Sequence, residues 1–354
     1  MKGQWQGPRP GPPFPGWRRQ DLSDPTDDIS AAAPPGRFVR ALRWVGPAIA
    51  VVLIAGAGWV LWDMATKMSL ADIQTAVMTL PMHRFVLAFV LTLCGLAALA
   101  TYDLLALHAL NYTSSVSLAR AVVGGLIANV FANTLGFPLL SGGGARYRVY
   151  SMVGVSFSVV ARLIIMSWLT MWSGILFVLG LALTLEPTTQ YPVFPHHFID
   201  RLVGLAILVV LTGFIVWLAK KRRAIRVSGM VLRMPKAKPA FLMVLAGAID
   251  LLAACGTLYV LLPPDTVPDI ARYLVTYSVA FLAGMAANTP GGVGVFEATV
   301  VTGLGIAHRP DVAAALILFR LIYFVVPLIF ALVLLAVLEG RHRLAVRRAR
   351  REEV

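Results

Sequence analysis

Two breaks rich in glycine and proline interrupt long apolar segments of this sequence, and polar residues lie beside both. A broken helix in lipid persists only where protein or a water-lined cavity satisfies the freed backbone groups. Two such breaks in corresponding places are typical of a transporter with its site at a repeat interface. The breaks contain Asn133 and Pro138 in the first, and Asn288, Pro290, Gly291 and Gly292 in the second.

A glycine run follows the first break and is itself followed by two arginines. Gly142, Gly143 and Gly144 precede Arg146 and Arg148. Consecutive backbone N–H groups can form an anion-binding nest, and arginine binds phosphate with two parallel hydrogen bonds. The pattern predicts a site for a lipid phosphate. The alternative is a flexible tip whose arginines extend to the membrane interface.

Five further charged residues lie within apolar runs or at a break. Isolated charges cost a few kcal/mol in a bilayer, so partners are expected. One interpretation is two structural ion pairs formed by Asp103, Arg162, Asp250 and Arg320. In the other, Arg162 and Arg320 bind an anion on opposite sides of the membrane along a transport pathway. Glu297 follows the second break. It either caps a helix start, where the helix dipole favours a carboxylate, or binds a proton or an ammonium group.

Composition indicates a polytopic membrane protein. Of the 354 residues, 58% are hydrophobic and only 14% are charged, whereas soluble domains average about 25% charged residues. The formal charge of +14 does not indicate nucleic acid, because most Lys and Arg residues flank apolar runs, where positive charge sets membrane orientation. No nucleotide-binding, metalloprotease or serine-hydrolase motif is found, so no enzyme, metal or cofactor is expected.

The apolar runs predict six full spans and two broken segments. Residues 1–36 are rich in Pro and Gly and are expected to form a disordered tail. The predicted full spans are 44–62, 85–110, 156–185, 202–218, 240–262 and 312–338. The broken segments are 118–148 and 273–307.

Charge in the loops fixes the predicted topology. The amino-terminal segment, the loop 220–238 with eight basic residues and no acid, and the carboxy-terminal tail must be cytoplasmic. Counting the membrane crossings between these loops then places both ends of each broken segment on the same side of the membrane. The leg before the first break is too short to cross about 30 Å. Both segments are therefore interpreted as re-entrant hairpins, although 273–307 could also be two short full spans.

The resulting fold class is an all-α polytopic membrane protein with an inverted repeat. Each unit contains two transmembrane helices, a re-entrant hairpin and one further helix. The predicted units are 37–200 and 201–340, followed by a basic tail, 341–354. Three short echoes recur in the same order: Asp-Leu-Leu-Ala at 103 and 250, Asn-Thr at 133 and 288, and Arg-Leu-Ile at 162 and 320.

The second break and the later Arg320-Leu321-Ile322-Tyr323 resemble the lysylphosphatidylglycerol synthase transmembrane family, also called flippase-like domain proteins. The glycine run ending at Arg146 contributes to the likeness, which covers about residues 40–340. The resemblance implies that this membrane unit moves an aminoacylated phospholipid between leaflets, with the broken hairpins forming the central cavity. It points to Arg146, Glu297 and Arg320. The chain ends at Val354, so no cytosolic synthase domain is expected.

The leading hypothesis is a phospholipid flippase of the bacterial inner membrane, with both termini cytoplasmic. Its expected partners are anionic or aminoacylated phospholipids. A separately encoded lipid-modifying enzyme is an optional partner, and the oligomeric state is left open, a homodimer included. The alternatives are an ion- or proton-coupled transporter of a small solute and a membrane anchor for such an enzyme.

Overall fold

The chain folds as a helical, polytopic membrane protein. The computed structural model describes residue 55 and residues 80–352, except for 111, 113–115, 137, 186–196, 221–223, 228–229, 268, 288 and 307–308. Five helices within these residues are long and apolar enough to cross a membrane. The tail 1–36 and the predicted first span, 44–62, lie outside the described residues. The total number of spans stays a prediction.

Most of the helices begin and end close to the predicted apolar runs, whereas α10 extends well beyond the end of the run 312–338. They are α1 (Met82–Ala109), α2 (Leu118–Thr134), α3 (Pro138–Ser151), α4 (Phe157–Leu185), α5 (His197–Lys220), α6 (Ala237–Leu261), α7 (Ile270–Ala286), α8 (Val295–Leu304), α9 (Pro310–Arg320) and α10 (Val326–Glu352). Short 3₁₀ turns cover Pro264–Thr266 and Pro290–Gly292, and a π-helical turn, Leu321–Val325, joins α9 to α10.

Both predicted breaks are present, and each separates two short helices. Gly136 has φ 71° after α2, and Pro138 begins α3. A left-handed glycine stops a helix, and proline suits a first helical position. The 17 residues of α2 and of α7 each extend about 25 Å at 1.5 Å per residue. A perpendicular crossing needs about 30 Å.

The centre of the bundle is held together by small residues. Helix α1 packs along α6, where Gly95 lies against Ala253. Helix α4 crosses α6 at Gly174 and Gly247, whose backbones touch directly. Such close approach is typical of membrane helices, whose association depends on packing rather than on the hydrophobic effect.

One short element was not part of the predicted all-α fold. The basic loop contains an antiparallel hairpin of β1 (Ala224–Val227) and β2 (Met230–Arg233), with Ala224 opposite Arg233. The strand sequences, AIRV and MVLR, show no regular alternation of apolar and polar residues that would have indicated strands. Helix α10 continues without interruption to Glu352 and so includes most of the predicted basic tail 341–354.

Candidate functional site

The second break is organised around Arg320, the last residue of α9. Its Nε donates a hydrogen bond to Glu297 Oε1 at 2.5 Å, and its Nη1 donates to the carbonyl of Gly291 at 2.5 Å. The guanidinium lies 5.3 Å from the centroid of the Phe324 ring and 5.9 Å from that of Phe296. Arg320 therefore joins the broken backbone to the carboxylate of α8 and to the π-helical turn.

Glycine makes this geometry accessible to the chain. Gly291, Gly292 and Gly294 have φ values of 57°, 67° and 85°, a region that residues with a Cβ seldom adopt. The turn that they form brings the Gly294 N–H within 2.8 Å of Glu297 Oε2. Glu297 thus caps α8, as one of the two interpretations of this residue predicted, and it also holds Arg320.

The two breaks meet in space. A cavity of about 40 Å³ lies between them, lined by Asn133 and Gly136 of the first break and by Gly291 and Gly292 of the second. A water molecule needs about 10–15 Å³ of such volume, and pockets for drug-sized ligands need about 300–1,000 Å³. The cavity therefore has room for water but not for a lipid head group. Asn288 lies outside the described residues.

A second buried polar cluster surrounds Asp103 of α1. Arg146 Nε donates to both carboxylate oxygens, at 2.9 and 3.2 Å. Tyr150 and Ser167 donate their hydroxyl groups to the same carboxylate, at 2.9 and 3.0 Å. Arg146 Nη2 donates to Asn129 Oδ1 at 2.8 Å. The carboxylate is fully buried and well supplied with donors, as a charge removed from water must be.

Asp250 of α6 has a different environment. Tyr102 and Tyr323 donate hydrogen bonds to its two oxygens, at 3.0 and 3.4 Å. Within the described part of the chain, no Lys or Arg side chain forms an ion pair with it. Asp250 is thus a buried carboxyl group held by neutral donors, which distinguishes it from Asp103 and Glu297.

The predicted ion pairs therefore have different partners from those expected. Asp103 pairs with Arg146 rather than Arg162, and Arg320 pairs with Glu297 rather than Asp250. The physical reason is that the second helix of each broken pair, α3 or α8, supplies the partner. Sequence order could not reveal that side chains of these helices reach Asp103 of α1 and Arg320 of α9.

The predicted glycine nest is wrong. Gly142, Gly143 and Gly144 lie within α3, where helical hydrogen bonding occupies the backbone. A Cβ at Gly142 would lie 2.7 Å from the Ala132 Cβ and 2.9 Å from the Ala128 carbonyl oxygen. The glycines thus allow α3 to pack closely on α2.

Arg148, the other arginine of the glycine segment, is also engaged. Its Nε donates to Glu339 Oε2 of α10 at 2.9 Å, and Arg343 binds the same carboxylate. Neither Arg146 nor Arg148 is therefore open to a phosphate in this conformation. Arg162 differs from both, since its buried Nε has no hydrogen-bond partner among the described residues.

The sequence analysis did not identify the hydroxyl groups that donate hydrogen bonds to the carboxylates of Asp103 and Asp250. Tyr150 lies four residues after Arg146 on α3, so helical periodicity places both on one face. That signal could have joined Tyr150 to the charged cluster. Glu339 was visible as a single acid before a run of arginines. No comparable signal identifies Tyr102, because aromatic residues are common in apolar spans.

Comparison with known proteins relates the chain to bacterial membrane proteins. It is 30% identical over 289 residues to Uncharacterized protein slr0712 of Synechocystis sp.. The aligned region covers 80% of this chain and 87% of slr0712. The chain belongs to the same family as slr0712. No protein-family model matches the chain.

Two further relatives have more informative names. Inner membrane protein YbhN of Escherichia coli is 27% identical over 209 residues, 57% of this chain and 64% of YbhN. Phosphatidylglycerol lysyltransferase of Bacillus subtilis is 28% identical over 257 residues, 69% of this chain but only 29% of that enzyme. The chain is a multi-pass membrane protein related to YbhN and, more distantly, to part of a lipid-modifying enzyme.

Proposed function

We propose that this protein moves a phospholipid, anionic or aminoacylated, between the leaflets of the inner membrane. One observation carries the proposal. Two broken helix pairs meet around a single cavity inside a bundle of membrane-spanning helices. Broken helices facing one another near the middle of a bundle are typical of alternating-access transporters. The name of the Bacillus relative, phosphatidylglycerol lysyltransferase, favours a lipid as the substrate.

The proposed architecture is the inverted repeat predicted from charge and parity. After residue 80, the order of elements is span, broken pair, span, then span, span, broken pair, span. Helices α1 and α6 hold corresponding places in the two units and pack against each other. With 44–62 as a first span, both termini would lie in the cytoplasm. The two broken pairs would enter the bilayer from opposite sides as re-entrant hairpins.

In this proposal the described conformation is closed. The 40 Å³ cavity cannot hold a head group, so the two breaks must move apart to admit one. Arg320 would then exchange Glu297 for a lipid phosphate, since arginine binds both anions with the same planar arrangement of donors. The side chain of Glu297 is 26% exposed while that of Arg320 is 6% exposed. Glu297 is thus the partner better placed to leave, and once released it could bind the ammonium group of an aminoacylated lipid.

Substitution of Glu297 by glutamine is expected to slow lipid translocation about tenfold or more. Glutamine keeps the size and hydrogen-bonding capacity but removes the charge that alternates with the phosphate on Arg320. A tenfold change in the translocation rate corresponds to about 1.4 kcal/mol. This energy is smaller than the usual cost of removing one partner of a buried ion pair. The measurement is movement of a fluorescent phosphatidylglycerol between leaflets of proteoliposomes that contain the purified protein.

A matched control changes the exposed pair of Asp265 and Arg309, which lies outside the spanning helices. Asp265→Asn removes one charge in the same way and is expected to leave the rate unchanged. Thermal unfolding of each variant separates a loss of transport from a loss of folding. Wild-type translocation by a folded Glu297→Gln protein would refute the proposed role of this pair.

A second candidate function is a proton-coupled transporter of a small solute. The observation that favours it is Asp250, whose described neighbours supply hydroxyl donors and no cation. Such a carboxyl group can gain or lose a proton without breaking an ion pair. Solute uptake that follows an imposed proton gradient, is abolished by Asp250→Asn and occurs without lipid movement would favour this function.

A further inference from the structure

A large apolar groove lies between α4, α5 and α6, away from the two breaks. Its volume is about 600 Å³, and its walls include Leu169 and Trp172 of α4, Phe214 of α5 and Met243 of α6. Ser173 supplies a hydroxyl to the lining, and this hydroxyl is already bonded to the Thr170 carbonyl at 3.0 Å. The groove therefore has almost no free hydrogen-bonding groups for water, and its apolar lining suits a hydrocarbon chain.

The path of α5 explains why this space exists. Near one end α5 touches α4 closely, since a Cβ at Gly180 would lie 3.2 Å from the Gly204 carbonyl oxygen. Beyond this contact, side chains of both helices line the groove together with those of α6. Helix α5 is also the least buried of the five candidate spans. A lipid chain can therefore enter the groove sideways from the bilayer.

Arg162 is not one of the residues that line the groove; it lies on α4 before Leu169, toward the end of the groove that adjoins the basic hairpin loop. It precedes Leu169 by seven residues on α4, about 10 Å along the axis and within about 20° around it. Arg162 thus shares the helix face that lines the groove. Its Nε is buried without a hydrogen-bond partner in the described part of the chain. By contrast, Arg146, Arg148 and Arg320 all have carboxylate partners.

A buried guanidinium nitrogen that lacks an acceptor inside a membrane protein is costly, and it favours a nearby anion. The phosphate of a phospholipid has the complementary charge, and its acyl chain has the chemistry of the groove. We propose that Arg162 and the α4–α5–α6 groove bind one anionic phospholipid from the cytoplasmic leaflet. The phosphate lies on Arg162 and an acyl chain lies along Leu169 and Trp172. This binding site is separate from the breaks and does not depend on whether the protein moves lipid.

The test uses the full chain in nanodiscs with a phosphatidylglycerol that carries a photoreactive group in one acyl chain. Peptides of α4 and α5 that line the groove are expected to be labelled. Arg162→Gln is expected to lower this labelling about fivefold to tenfold, because one basic residue contributes about 1 kcal/mol toward an anionic lipid. Arg162→Lys keeps the charge and is expected to retain most of the labelling.

Two adjacent valines of α5 give a matched pair for the groove itself. Both are exposed, but Val210 lines the groove whereas Val209 does not. Val210→Trp is expected to reduce labelling, and Val209→Trp is expected to leave it unchanged. Since both valines lie on the surface of α5, neither substitution disturbs the buried core.

Competition identifies the source of the phosphate and the occupant of the groove. Unlabelled phosphatidylglycerol should displace the probe, whereas phosphatidylcholine and inorganic phosphate should not. Labelling that is equal in Arg162→Gln and wild type would overturn the proposal. So would crosslinks showing that residues 44–62 or a second copy of the chain fills the groove.

Discussion

Replacing Asp103 by alanine is expected to destabilise the protein by about 3–5 kcal/mol, the usual cost of leaving one member of a buried ion pair without its partner. Arg146 would remain 2% exposed with no carboxylate. Tyr150 and Ser167 would each lose an acceptor as well. The measurement is equilibrium or thermal unfolding of the purified protein in detergent or nanodiscs, followed by loss of helical signal.

A double variant separates the charge effect from lost packing. Combining Asp103→Ala with Arg146→Met removes both charges and is expected to recover a large part of the stability, since replacing a whole buried pair is often nearly neutral. Asp265→Ala on the exposed pair serves as a control and should change little, because solvent screens such pairs. If Asp103→Ala costs less than about 1 kcal/mol, the cluster does not hold α1, α3 and α4 together.

Adding a single methyl group at Gly174 or Gly247 is expected to separate α4 from α6. A Cβ at Gly174 would lie 2.1 Å from the Gly247 carbonyl carbon, and a Cβ at Gly247 would lie 2.3 Å from the Thr170 carbonyl oxygen. Both obstacles are backbone atoms, so no side chain can rotate away. We expect Gly174→Ala and Gly247→Ala each to cost about 3 kcal/mol, the upper part of the range for overpacking. The yield of folded protein and its unfolding temperature would report the loss.

The matched control is Gly213→Ala in α5. Nothing lies within 4 Å of the Cβ position there, so alanine adds no clash. It is expected to stabilise α5 slightly, because glycine in a helix is less favourable than alanine by about 1 kcal/mol. Equal behaviour of Gly213→Ala and Gly247→Ala would show that the α4–α6 crossing does not need glycine.

The sequence was sufficient to predict four of the spans because hydropathy acts over the whole length of a helix. Helices α1, α4, α5 and α6 begin and end within about five residues of the predicted runs. The breaks were equally visible, since Pro138, Pro290 and the glycines that follow Pro290 act on the local backbone whatever surrounds them. These features depend only on neighbouring residues and on the solvent.

The pairing of charges depended on the tertiary structure. Asp103 and Arg146 are 43 residues apart in the chain, and this arginine binds the carboxylate only because the fold brings side chains of α1 and α3 together. The glycines 142–144 show the same dependence, because the backbone of α2 decides that they allow close packing rather than form a nest. The sequence by itself determined which residues are apolar, broken or charged. Only the packing of helices distant in sequence decided which charges became partners and left the buried Nε of Arg162 without an acceptor among the described residues.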